Sequence, residues 1–167
     1  MNFPDDLNPL VDALAAALRR RGWRIATAES CTGGLIAAAC TAVAGSSDWF
    51  ERGFVTYSNE AKTESLGVPA ALIAAHGAVS EAVARAMAAG ALAHAHADLA
   101  LSVTGIAGPG GAVPGKPVGT VWFGWAGRSG AAGAELLQLG GDRAAVRQAT
   151  VRHVLAWAAA HAAKASS

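Results

Sequence analysis

The chain has 167 residues, of which 53% are hydrophobic and only 15% are charged, and its formal net charge is +1. A nearly neutral chain has no general attraction to nucleic acid or to an anionic membrane, and we expect neither as a partner. The length suits one domain over residues 1–167, and the apolar composition predicts that a second copy covers part of the surface, as in a homodimer.

The first residues, 1–6, show no basic region followed by an apolar run, so we expect no secretory signal. No segment reaches the roughly 18 uninterrupted apolar residues of a membrane span. The sequence therefore predicts a cytoplasmic protein.

Apolar residues at helical spacing predict a first helix over 7–21, which Gly22 ends. A strand at 23–28 and an Ala-rich helix at 35–43 follow. The same patterns predict later strands at 54–57, 99–103, 118–125 and 135–139. They also predict helices at 59–67 and 69–76, a helix that begins at residue 80 and a last helix that begins at residue 142.

Strands that alternate with helices predict a three-layer α/β/α fold with a mixed, largely parallel central sheet of about five strands. No helix separates the last two strands, so we expect them to form an antiparallel hairpin. Ligands of such sheets bind beyond the carboxyl ends of the strands. Three unusual stretches fall at that edge: the turn at Ser30, the segment 57–62 and the glycine loop 104–111.

Ser30 lies where the first strand passes into a helix, in the stretch Thr-Ala-Glu-Ser-Cys-Thr-Gly-Gly-Leu at 27–35. Gly33 and Gly34 are costly near a helix start, which suggests that a ligand approaches the backbone there. Unpaired N–H groups from Thr32 to Gly34 would suit the oxyanion of an acyl-transfer intermediate. The alternative is a capped helix start with Ser30 or Thr32 as N-cap.

Lys62 is placed against the dipole of its helix if Asn59 is the N-cap. The helix field and burial would both lower its pKa, so that a neutral Lys62 could act as a general base. The alternative is an exposed lysine without a role.

Several other motifs do not support a function. Gly110 to Lys116 matches a phosphate loop, but Pro117 stands where a Ser or Thr should bind magnesium. The rings of His94 and His96 would diverge on a helix, without a third ligand, so we expect no metal and no cofactor. Cys31 is a rival nucleophile to Ser30, and Cys31 and Cys40 lie too far apart on one helix to form a disulfide.

Taken together, five stretches resemble the C-terminal domain of the competence/damage-inducible protein CinA, a family whose stand-alone members are nicotinamide-nucleotide amidases. These stretches are TAESCTGGLIA at 27–37, VTYSNEAKTESLGV at 55–68, HGAVSEAVA at 76–84, LALSVTGIAGPGG at 99–111 and KPVGTVWFGW at 116–125. The shorter GDRAAVRQATVRHVL at 141–155 fits the family's last helix. The resemblance implies deamidation of nicotinamide mononucleotide to nicotinate mononucleotide and ammonia.

The resemblance also implies a catalytic set of Ser30, Tyr57 and Lys62, in which Tyr57 relays a proton or donates one to the leaving ammonia. It implies ligand contacts by the glycine loop and by Arg143, a role that Arg147 could share. The predicted oxyanion and substrate-binding residues are Thr32, Gly33, Gly34, Asn59, Thr104, Gly105, Gly108, Gly110, Gly111 and Arg143. Gly115 departs from the charged residue that the family pattern leads us to expect in this loop.

Two alternatives to this enzyme stay open on sequence. The domain could be a non-catalytic nucleotide-binding or regulatory module, or a serine amidase for another small amide. Trp49, Phe50 and Trp157 are candidates for a dimer interface, although core packing would explain each of them as well.

Overall fold

The computed structural model describes residues 7–164. The helices are α1 (Asn8–Arg21), α2 (Leu35–Thr41), α3 (Asn59–Leu66), α4 (Ala70–His76), α5 (Glu81–Ala93) and α6 (Arg143–Ala163). The strands are β1 (Ile25–Glu29), β2 (Phe50–Val55), β3 (Leu99–Gly105), β4 (Thr120–Gly127) and β5 (Ala132–Gln138). A short 3₁₀ turn at Ser46–Asp48 precedes β2.

The five strands form one mixed sheet in the order β2-β1-β3-β4-β5. β1 pairs in parallel with both β2 and β3, whereas β4 runs antiparallel to β3 and to β5. The predicted sheet class, strand number and final hairpin are therefore confirmed. The carboxyl ends of β1, β2 and β3 meet at one edge, because Glu29 aligns with Val55 and with Val103.

Alternate side chains of β3 build the two faces of the sheet. Leu99, Leu101 and Val103 are buried in the cluster that α1, α2 and α6 also supply. Ala100 belongs to the opposite cluster, under α3, α4 and α5. The neighbouring Ser102 donates a hydrogen bond to the Ala84 carbonyl of α5 at 2.7 Å. Small residues on this face let α5 approach closely, and the result is the predicted α/β/α arrangement.

Element ends differ from the prediction by one to four residues at most places, and the largest difference is at β2. The predicted strand 54–57 is replaced by Phe50–Val55, so Tyr57 lies after the strand. β2 is an edge strand, and its charged Glu51 and Arg52 concealed the strand pattern. The first helix ends at Gly22 in a left-handed conformation, as predicted.

Two predicted helix caps are wrong. Ser58, rather than Asn59, caps α3 by accepting the Ala61 N–H at 3.0 Å, so Lys62 is the fourth helical residue instead of the third. Neither Ser30 nor Thr32 caps α2, because the N-cap position belongs to Gly34. Within residues 7–164 no helix is both long and apolar enough to cross a membrane. The prediction about a signal sequence concerns residues 1–6 and lies outside the described residues.

Of the three aromatic residues considered for an interface, Trp49 lies wholly in the core. It is completely buried in the cluster on the α1 and α6 face of the sheet. Phe50 and Trp157 are partly buried and pack against the same cluster. Core packing therefore accounts for Trp49.

Candidate active site

Ser30 follows β1 directly and begins a tight turn before α2. Its backbone N–H donates to the Val103 carbonyl of β3 at 3.0 Å, and its carbonyl accepts the Gly33 N–H at 3.0 Å. The side chain remains partly exposed. The turn thus holds one hydroxyl at the carboxyl edge of the sheet, where it is open to a ligand.

Gly33 and Gly34 are required by the path of the backbone in this turn. Their φ angles are +60° and +99°, a left-handed region that L side chains rarely adopt. A Cβ on Gly34 would lie 3.4 Å from a Val55 methyl group, which is ordinary contact. Backbone conformation therefore explains the two glycines, without the close ligand approach that the sequence suggested.

Glu29 holds the start of α2 through its side chain, a contact that sequence reasoning missed. Its carboxylate is fully buried and accepts the N–H groups of Gly34, Ile36 and Ala37 at 3.1, 3.0 and 2.8 Å. Three N–H donors stabilise a buried carboxylate. An acidic residue at the end of an apolar strand, just before a helix, was the signal that could have revealed it.

The N–H groups expected to hold an oxyanion are partly occupied. Gly33 N–H bonds to the Ser30 carbonyl, and Gly34 N–H bonds to Glu29. The Thr32 N–H has no backbone acceptor within the part of the chain that the structure describes, whereas the Cys31 N–H bonds the Cys31 sulfur. Of the N–H groups expected to hold the oxyanion, those of Thr32, Gly33 and Gly34, the Thr32 N–H is therefore still available. The Cys31 N–H lies next to it.

Lys62 reaches from α3 to the Ser30 hydroxyl. Its Nζ lies 3.1 Å from Ser30 Oγ, 2.9 Å from the Thr56 carbonyl and 3.4 Å from the Ser58 carbonyl. The residue is only 1% exposed, and burial lowers the pKa of its amine, with a smaller opposing effect of Cys31. The expected fall in pKa thus has burial as its main cause, and the alternative of an exposed lysine is wrong.

Lys62 Nζ donates to the two carbonyls and to Ser30 Oγ, three acceptors that satisfy the three N–H groups of an ammonium. When one proton is lost and the remaining two N–H groups bond Thr56 and Ser58, the lone pair faces the Ser30 hydroxyl. The arrangement is suited to removing the proton of Ser30.

Cys31 is poorly suited to act as the nucleophile. Its side chain is buried, and burial raises the pKa of the thiol to about 11. A thiol in this state is mostly protonated near neutral pH, whereas the thiolate is the reactive form. Cys31 and Cys40 are both free and buried.

Tyr57 contacts an arginine instead of the Ser30–Lys62 pair. Arg143 donates one N–H to the Tyr57 hydroxyl at 2.9 Å and another to the Gly108 carbonyl at 2.9 Å. The Tyr57 side chain is 59% exposed. Arg143 thereby links the loop after β2 with the glycine loop at the mouth of the site.

Arg147, one turn further along α6, contacts the turn that carries Ser30. It donates to the Thr32 carbonyl at 3.1 Å. Within residues 7–164 neither Arg143 nor Arg147 forms an ion pair with a carboxylate. Both charges are therefore available to an anionic ligand, and which of the two arginines contacts it stays a prediction.

A cavity of about 520 Å³ lies between the glycine loop and the start of α6. Arg143 and Arg147 line it, together with Asp142, whose carboxylate caps α6 by accepting the Ala145 N–H. Ser30 and Lys62 are not part of its wall. A ligand that reaches both the arginines and the serine must extend from this cavity to the turn.

Residues of the glycine loop have different surroundings. Thr104 is buried and donates to the Ala78 carbonyl at 2.8 Å, and a Cβ on Gly105 would collide with Val121 at 2.6 Å. Gly110 and Gly111 are exposed and are not among the residues that line the cavity. Within this loop it is the Gly108 carbonyl that accepts a hydrogen bond from Arg143.

Two other predicted features lie apart from the pair. Asn59 is exposed and lines a separate cavity of about 370 Å³ between α3 and α4. Gly115 has φ +80° with open space around its Cβ position, so the backbone favours glycine at this point of the loop. In the described part of the chain no group of three or more His, Cys, Asp or Glu side chains is arranged to hold a metal ion.

Comparison with known proteins was made on sequence and on structure. The family model of the CinA C-terminal domain matches residues 7–161. The "Nicotinamide-nucleotide amidohydrolase PncC" of Enterobacter agglomerans is 57% identical over 141 residues, which cover 84% of this chain and 86% of that protein. A "Putative competence-damage inducible protein" of Symbiobacterium thermophilum is 53% identical over 162 residues, 92% of this chain but only 38% of that longer protein.

A crystal structure of the competence/damage inducible protein CihA from Agrobacterium tumefaciens has the same fold. It superposes with a TM-score of 0.92 at 44% identity and covers 96% of this chain and 98% of that one. The family model spans nearly all of the described residues, and the sequence and structural matches agree. The chain belongs to the CinA C-terminal domain family.

Proposed function

We propose that this protein is a nicotinamide-nucleotide amidohydrolase that converts the carboxamide of nicotinamide mononucleotide to a carboxylate, with release of ammonia. The observation that carries the proposal is the contact of 3.1 Å between the buried Lys62 amine and Ser30 Oγ. The similarity to proteins named nicotinamide-nucleotide amidohydrolase, over most of both chains, supports the substrate class.

In the proposed mechanism, Ser30 Oγ attacks the carboxamide carbon while the neutral Lys62 amine takes the hydroxyl proton. The Thr32 N–H is the available donor for the oxyanion, and the Cys31 N–H, which bonds its own thiol sulfur, lies next to it. The Lys62 ammonium returns a proton to the leaving nitrogen, which departs as ammonia and leaves an ester on Ser30. Water then attacks the ester, Lys62 acts again as base, and the carboxylate product leaves.

The charges around the site favour a nucleotide over a free amide. Arg143 and Arg147 are two unneutralised cations beside a cavity of about 520 Å³. Guanidinium groups bind phosphate with good geometry. A ligand with a phosphate in this cavity and a carboxamide at Ser30 would use both parts of the site. Tyr57, held by Arg143, is placed to orient such a ligand, and its role as a proton relay stays a prediction.

The experiment is a measurement of ammonia release from nicotinamide mononucleotide by the purified protein without added metal. Ser30→Ala should abolish release, whereas the exposed Ser65→Ala on α3 should leave it unchanged. Free nicotinamide, which lacks the phosphate, should be a poor substrate. Tight nucleotide binding without release would favour the binding-module alternative, and release from another amide alone would overturn the substrate.

The homodimer, the cytoplasmic location and the single domain expected from the sequence stay predictions. Sedimentation equilibrium of the purified chain would test the first of these. A monomer at micromolar concentration would contradict it.

A further inference from the structure

The proposed mechanism leaves one buried charge without a chemical role. Glu29 lies directly before the nucleophile, is 0% exposed, and accepts three N–H groups from the start of α2. A neutral amide or hydroxyl could cap a short helix at smaller desolvation cost. A buried carboxylate at this place therefore suggests that its charge matters to the site.

The charge of Glu29 acts on the turn that carries the nucleophile. After burial and a backbone hydrogen bond, the pKa of Cys31 is shaped by Glu29, which raises it, and by Arg147 and Arg143, which lower it. Charges of both signs therefore act on residue 31, and the Glu29 carboxylate accepts the Gly34 N–H at 3.1 Å in the turn that Ser30 begins. The same charged groups act on Ser30, the residue before Cys31.

Substrate and product of the proposed reaction differ by one charge, at the carbon that Ser30 attacks. The carboxamide is neutral, whereas the product is a carboxylate. Lys62, once protonated, would attract that carboxylate, because its Nζ lies 3.1 Å from Ser30 Oγ. Without an opposing charge, the site would retain its own product.

We propose that Glu29 is a specificity-determining residue that makes this site favour a neutral carboxamide over the corresponding carboxylate. The inference rests on the proposed function and deepens it. Glu29 is a positioning and electrostatic group that has no contact with the reacting atoms. Its expected effect is easier product release and a weaker affinity for the acid form of the nucleotide.

The test measures binding of nicotinamide mononucleotide and of nicotinate mononucleotide by calorimetry, in a Ser30→Ala background that prevents turnover. Glu29→Gln removes the charge and keeps the length and one acceptor oxygen. We expect the affinity for the acid, relative to the amide, to rise roughly threefold to tenfold, as for the loss of one partly screened charge at short range. An unchanged ratio in Glu29→Gln would overturn the proposal.

Two further variants separate charge from structure. Glu29→Asp disturbs the cap but keeps the charge, and it should keep the amide preference. Glu64→Gln removes an exposed charge on α3 and should also keep it. A loss of preference in Glu29→Asp as large as in Glu29→Gln would show that the cap alone matters, against the proposal.

If circular dichroism shows that Glu29→Gln does not fold, the Ser30→Ala protein alone decides. It should bind the amide more tightly than the acid, and equal or tighter binding of the acid would refute the inference. Failure of the proposed function would look different, since the wild-type protein would then release no ammonia from the amide.

Discussion

Replacing Lys62 by Met tests the proposed base and its burial in one variant. Met has a similar length and no amine, so the proton of Ser30 has no acceptor. Loss of a general base reduces the rate by roughly 10²–10⁴-fold. We therefore expect ammonia release from nicotinamide mononucleotide to fall by at least this factor, with the nucleotide still bound.

The same variant should change how stability depends on pH. Burial holds the pKa of Lys62 below its ordinary value, so between that pKa and about 10.4 the unfolded chain binds a proton that the folded chain lacks. The contribution of the neutral amine to the free energy of unfolding is therefore fully present above the Lys62 pKa of the unfolded chain. It is lost as the pH falls from there towards the Lys62 pKa of the folded chain. Within it, the wild-type free energy of unfolding rises with pH by up to about 1.4 kcal/mol per unit.

Met cannot bind a proton, so the free energy of unfolding of Lys62→Met should lack the rise with pH that Lys62 causes in this window. The variant leaves the Thr56 carbonyl without the Lys62 amine as donor, at a cost of about 1–3 kcal/mol that does not vary with pH, whereas the Ser58 carbonyl keeps the backbone N–H of residue 62. The free energy of unfolding of wild type minus that of the variant should therefore decrease as pH is lowered from 10, and should level off once the pH is below the folded-state pKa of Lys62.

Urea denaturation at several pH values measures this difference, and the exposed Lys164→Met is the matched control, whose difference from wild type should be flat. Parallel pH curves for wild type and Lys62→Met would refute the reasoning, because they would mean that the amine titrates alike in the folded and unfolded chain. Retained ammonia release in Lys62→Met would remove Lys62 from the mechanism.

Three further changes have defined outcomes. Tyr57→Phe removes the hydroxyl that Arg143 binds, so the KM for the nucleotide should rise about threefold to tenfold, whereas a fall in kcat of about 10²-fold or more would place Tyr57 in proton transfer instead. Gly34→Ala forces a side chain into φ +99° and should cost roughly 1–2 kcal/mol in urea denaturation; an unchanged midpoint would show that the turn adapts freely. Burial lowers the pKa of His161, so the melting temperature should fall as pH drops from 7 to 5, and His161→Phe should lessen that fall; identical profiles would contradict it.

The meeting of Ser30 and Lys62 could be predicted because it depends on topology. Parallel neighbours bring their carboxyl ends to the same edge, and β1 and β2 run in register up to Glu29 and Val55. The residues that follow those two strands must then lie close together. Helical periodicity and turn residues were sufficient to order the strands and helices, and the sheet class followed from their alternation.

The contacts that could not be predicted depend on where individual side chains point. Glu29 turns from the end of β1 to the N–H groups of α2, and Arg147 reaches across from α6 to the Thr32 carbonyl. The Arg147 contact joins residues 115 positions apart, which no local pattern fixes, whereas the Glu29 contact is local and could have been read from an acidic residue just before a helix. Gly33 and Gly34 were recognised as unusual, but only the φ angles show that the backbone itself requires them.

Electrostatics divides the proposed site into two parts of different polarity. At the turn, burial favours a neutral Lys62, and the carboxylate of Glu29, the residue before Ser30, bonds the N–H groups at the start of α2. In the cavity, Arg143 and Arg147 supply two positive charges without carboxylate partners among residues 7–164. A nicotinamide nucleotide has the complementary order, a neutral amide at one end and a phosphate at the other. If the proposal for Glu29 is right, the deamidated product, with an anion at both ends, is held by the arginines at its phosphate and repelled by Glu29 at its carboxylate, which favours its release.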